Sequence, residues 1–154
     1  ARDAAAYKEA VDVAMAALAK CAGAAASCKE VLPSHHLVAG LAKAAAPLRA
    51  LLGDGLAAAG KADLAGNMWG LAAAELRGVL AGQGEALPLP HFSHAQDLVG
   101  LAGLYQRRGE APEARRCLEE ALGDLELVGW AQPEEARAAS EELRQSVEAA
   151  LEAL

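Results

Sequence analysis

Apolar side chains between residues 3 and 22 recur at Tyr7, Ala10, Val11, Ala14, Ala17 and Leu18, the three-and-four spacing of one helix face. Gly23 loosens the end of that helix, and the stretch 27–33 closes it with Pro33. A second helical stretch covers 36–59, but Pro47 lacks the N–H that a helix interior needs, which predicts a break near Ala45 or Ala46. Gly60 ends this stretch and Asp63 can cap the next helix, which carries Leu64, Met68, Trp69, Leu71, Leu76 and Leu80, so that a helix pair occupies 36–81. Gly82, Gly84, Pro88 and Pro90 then predict a loop over 82–93. A second pair follows over 94–128, its first helix stopped at Gly109 and its second opened by Pro112 and Glu113. The last helix, 133–154, is charged on one face through Glu134, Glu135, Arg137, Glu141, Glu142, Arg144 and Glu148. A helix with one polar side is a suitable cover for the open end of a stack of pairs.

Placing Gly60 on Gly109 superimposes the two pairs at a spacing of 49 residues. The later copy reads Leu98, Leu101-Ala102, Tyr105, Gly109, Ala114, Leu118 and Ala121. The earlier reads Leu52-Gly53, Leu56, Gly60, Ala65, Trp69 and Ala72. Small residues at Gly53 and Ala65, and at Ala102 and Ala114, allow paired helices to approach closely, while Leu56 with Trp69 and Tyr105 with Leu118 fill the space between them. This order of small and large positions resembles the tetratricopeptide repeat. The proline usual after the second helix of that repeat is replaced here by Arg77 and Glu126, consistent with longer second helices. Tyr7-Lys8-Glu9-Ala10 with Ala17-Leu18 resembles Ala111 to Ala114 with Ala121-Leu122, marking 3–22 as half of an earlier repeat. The resemblance implies an all-α fold over a single domain, 1–154. Antiparallel helix pairs would wind into a short right-handed superhelix with 133–154 as its C-terminal cap.

Composition supports the helical reading. Hydrophobic residues form 54% of the 154 but aromatics only 3%, so Ala and Leu must build the core, and both favour helix over strand. Net charge is −7 and lies at one end: residues 110–154 hold 12 acidic and 4 basic side chains, a net of −8, which leaves +1 for the rest. An acidic chain without a Lys/Arg stripe repels a phosphate backbone, which excludes nucleic acid as the expected partner. Charged residues or glycine interrupt every apolar run before it could span a bilayer, so no membrane role is expected. Cys21, Cys28 and Cys117 lack C-x-x-C spacing and read as buried thiols. Residue 1 is Ala and residues 1–20 lack the layout of a signal peptide, which predicts an intracellular fragment or processed product, cytoplasmic or nuclear.

No arrangement of residues predicts catalysis. The 21 carboxylates lie mostly on periodic helix faces, and Gly53-Asp54-Gly55 lacks the Lys-Ser/Thr of a phosphate loop. His35-His36 and His91-x-x-His94 stand in or beside loops without a cysteine or acidic cluster, and are expected as exposed or capping residues rather than metal ligands. No metal and no cofactor are therefore expected. The first helix of each pair would line the inner face of a superhelix, which nominates Ala50, Asp54, Gln96, Val99, Gly103, Gln106 and Arg107 as a partner groove. The order of half-repeat, Val31-Leu32-Pro33 loop, helix pair, Pro90-His91-Phe92-Ser93-His94 loop, second pair and charged last helix resembles the C-terminal region of SET-and-MYND-domain lysine methyltransferases. That resemblance implies a regulatory or docking role beside a catalytic SET domain. The SET motifs and cysteine-rich zinc segments are absent from this sequence. The expected function is protein–protein interaction or intramolecular regulation within a larger protein, the partner being a protein, a peptide or the N-terminal part of the same parent chain. The alternatives are a free-standing tetratricopeptide scaffold, a cargo adaptor of the kinesin-light-chain kind, and a purely structural helical scaffold.

Overall fold

The computed structural model describes residues 2–31, 36–86, 92–128 and 134–154. Its elements are α1 (Arg2–Val31), α2 (His36–Ala58), α3 (Ala62–Ala86), α4 (Phe92–Arg107), α5 (Ala111–Val128) and α6 (Glu134–Glu152). No strand occurs among the described residues, in line with the all-α expectation. The chain divides into two compact units, Ala1–Val79 and Leu80–Leu154.

In the first unit, α1 packs along α2. Leu18 of α1 meets Ala45 and Leu52 of α2, with Val11, Cys21, Leu48, Leu56 and Met68 of α3 around them. The spacing of Val11, Leu18 and Cys21 puts all three on one stripe of α1. The helix extends past 22, where the sequence predicts its half-repeat to end. Gly23 costs a helix about 1 kcal/mol relative to Ala, and the three alanines that follow are the best helix formers. Ser27 turns its hydroxyl back to donate to the carbonyl of Gly23 at 3.1 Å, so it continues the helix instead of opening a loop.

The break predicted at Ala45 or Ala46 is absent, because α2 runs unbroken through Pro47. An interior proline disfavours a helix by roughly 3 kcal/mol. Here its ring lies on the exposed side, while Ala45, Ala46 and Leu52 are buried and hold both flanks of α2 in the core. Tertiary packing thus outweighs the local penalty. The predicted loop 82–93 is also shorter than expected. α3 continues through Gly82 and Gly84 to Ala86, since a formed helix gains a hydrogen bond with each added residue, and α4 already contains Phe92 and Ser93.

In the second unit, α4 packs on α5 and α5 on α6. Ala95, Leu98, Leu101, Ala102, Leu104 and Tyr105 of α4 are buried with Ala114, Cys117, Leu118, Ala121 and Leu125 of α5 and Val147 of α6. Leu118 and Val147 are the largest fully enclosed side chains among the described residues. Each contributes about 1.5–3 kcal/mol by leaving water.

The two interhelical turns are built alike. Gly60 and Gly109 each adopt φ of 75°, a conformation in which a side chain would be strained. In the first turn Lys61 N donates to Leu56 O and Gly60 N to Ala57 O, both at 2.9 Å. In the second Glu110 N donates to Tyr105 O and Gly109 N to Gln106 O, again at 2.9 Å. These paired bonds form the Schellman arrangement that satisfies the last carbonyls of a helix. The following helices start in the same register, with Ala65 N donating to Lys61 O and Ala114 N to Glu110 O.

Candidate partner-binding face

Five of the seven proposed groove residues lie on α4. Its core face takes Leu98, Leu101, Ala102 and Tyr105, so a residue between them in the helical cycle must turn outward. Gln96, Gln106 and Arg107 are exposed, and Val99 and Gly103 are half-buried. They share one side of the helix by their spacing, and Arg107 Nη1 donates to the carbonyl of Gly103 at 3.1 Å. That bond keeps a guanidinium over the last turn of α4, where the helix dipole favours positive charge.

Ala50 and Asp54 stand one turn apart on α2, in the other unit, and both are half-buried. Asp54 is fixed more firmly than a groove-lining role requires, since its Oδ1 accepts the indole Nε1–H of Trp69 at 3.1 Å. The indole lies across Gly53. An ideal Cβ placed on Gly53 would stand 2.5 Å from Cδ1 of Trp69 and nearer still to its Nε1. The small residue expected at this crossing is therefore a steric requirement.

Two interhelical polar contacts, one in each unit, join paired helices. Arg49 of α2 holds Glu75 of α3 with both ends of its fork, Nε to Oε2 at 2.8 Å and Nη2 to Oε1 at 2.7 Å. Bidentate pairing of this kind fixes orientation as well as distance. In the second unit His94 Nδ1 of α4 meets Asp124 Oδ2 of α5 at 2.5 Å, both side chains being half-buried. His94 is thus neither exposed nor a cap, as the sequence reading has it, but half of a contact that joins two helices. His35 and His91 lie outside the described residues. Glu75 and Asp124 are separated by the same 49 residues as the two turns, whereas their basic partners are not equivalent: Arg49 corresponds to Leu98, and His94 to Ala45. The acid recurs, and the base is offered from one helical turn away.

The remaining polar features are local. On α6, Arg144 pairs with Glu141 at 2.6 Å and with Glu148 at 2.7 Å. Hydrogen bonds from Arg144 and then Gln145 hold the Glu141 carboxyl below the ordinary carboxylate range, and the Glu141 carboxylate raises Arg144 in turn. Ser140 is buried, and its hydroxyl has no hydrogen-bond partner among the described residues. Cys117 is buried and Cys21 half-buried. Among the described residues no group of three or more His, Cys, Asp or Glu side chains gathers to hold a metal ion, and no helix is long and apolar enough to cross a membrane.

Comparison of the chain with known protein families, with curated proteins and with solved structures finds no match.

Proposed function

We propose that the chain is a helical-repeat protein-interaction module of tetratricopeptide type, which binds a protein or peptide and performs no chemistry of its own. The carrying observation is the recurrence, 49 residues apart, of one turn with the same hydrogen bonds, the same glycine conformation and the same buried alanine five residues on, at Ala65 and Ala114. A unit used twice with its packing positions preserved is the mark of a scaffold. The outward side of α4, with Gln96, Val99, Gly103 and Gln106, is the face offered to the partner. It sits on a helix whose opposite side is locked in the core, so little order is lost when something binds.

The partner in this reading is a peptide segment or a neighbouring part of a larger parent protein. The likeness of the element order to the C-terminal region of SET-and-MYND-domain methyltransferases favours the second, in which the chain docks against and regulates a catalytic domain. A photo-crosslinking residue placed in turn at Val99, at Gln106 and at Glu119, an exposed position on α5, tests the face. Discrete adducts from the two α4 positions and none from Glu119 are expected when the chain is exposed to extract or to its parent protein. Equal yields from all three positions, or none from α4, would overturn the proposal.

A further inference from the structure

No further inference is drawn: the strongest candidate, the half-buried His94–Asp124 pair between α4 and α5, braces the helix pair already described, and no third His, Cys, Asp or Glu joins it among the described residues.

Discussion

The tight seat of the Trp69 indole on Gly53 makes Gly53→Ala the most informative substitution. In an open helix this change stabilises by about 1 kcal/mol, because Ala restricts the unfolded chain and Gly does not. At position 53 the new methyl would overlap the Trp69 indole at distances no carbon contact tolerates. Either the helices separate or the indole turns away. Overpacking of this kind costs about 1–3 kcal/mol. Turning the indole also breaks its bond to Asp54, and a hydrogen bond to a charged group contributes about 1.5–3 kcal/mol. After the gain in helix propensity is set against these losses, the net expectation is destabilisation by about 1.5–5 kcal/mol. The second pair supplies the control, because it places Ala102 and Leu118 where the first has Gly53 and Trp69. Gly53→Ala combined with Trp69→Leu should therefore lose less stability than the two single changes added together. Urea unfolding can follow the first unit through Trp69 fluorescence in a Trp130→Phe background, with circular dichroism at 222 nm for the variants lacking Trp69. A Gly53→Ala protein as stable as its parent, or a double variant whose loss is simply additive, would refute the close-packing argument.

The turns, the buried hydroxyl and the last helix provide further checks. Gly60→Ala and Gly109→Ala should each cost about 1–2 kcal/mol from backbone strain alone, since nothing else crowds either position, and Asn should cost less. Thermal melting of both variants reads the cost, and a loss at only one site would show that the two turns are not equivalent. Ser140→Ala removes a buried hydroxyl that has no partner among the described residues, so stability should stay level or rise by up to about 1 kcal/mol; a clear loss in chemical denaturation would mean that the hydroxyl is bonded in solution. For Glu141 the folded pKa is depressed, so its contribution to stability is present above the ordinary carboxylate pKa and is lost as pH falls through the lowered value. A carboxyl-carbon NMR titration should give Glu141 a midpoint below the usual range that rises towards that range in Arg144→Gln, the Gln145 hydrogen bond keeping part of the depression. An unchanged midpoint would show that the ion pair does not persist in water.

The helical character of the chain was legible in the sequence, because the apolar spacing is regular, and so were the ends at Gly60 and Gly109, where a left-handed residue is needed. Ala65, Ala102 and Ala114 were read as packing positions, and all three are buried. The errors concern places where a local breaker is overruled. Pro47 and Gly23 each argue for an end, but a residue's intrinsic preference is worth less than the packing of its neighbours and the continuation of a helix already formed. Pattern reading sees the breaker and not the core behind it. The polar contacts were missed for a different reason. Arg49–Glu75 and His94–Asp124 join residues 26 and 30 positions apart, and their geometry depends on how two helices are rotated about their axes. The 49-residue offset between Glu75 and Asp124 was the available signal, and it becomes informative only once the helices are known to pair. Asp54 was read as a groove residue from its place on α2, and nothing in the spacing discloses that Trp69 reaches it.

The matched turns also bear on how the chain acquires its structure. Each is closed by bonds spanning three to five residues, and the contacts that brace the helices around them, Trp69–Asp54 at 15 residues' separation and Arg49–Glu75 at 26 about Gly60 and His94–Asp124 at 30 about Gly109, are still short-range in sequence. Little loop entropy is spent in bringing such partners together, and chains dominated by local contacts fold quickly. The molecule thus has two starting points for folding, one at Gly60 and one at Gly109, neither of which must wait for the other. A lesion that slows the first hairpin should leave the second free to form at its own rate.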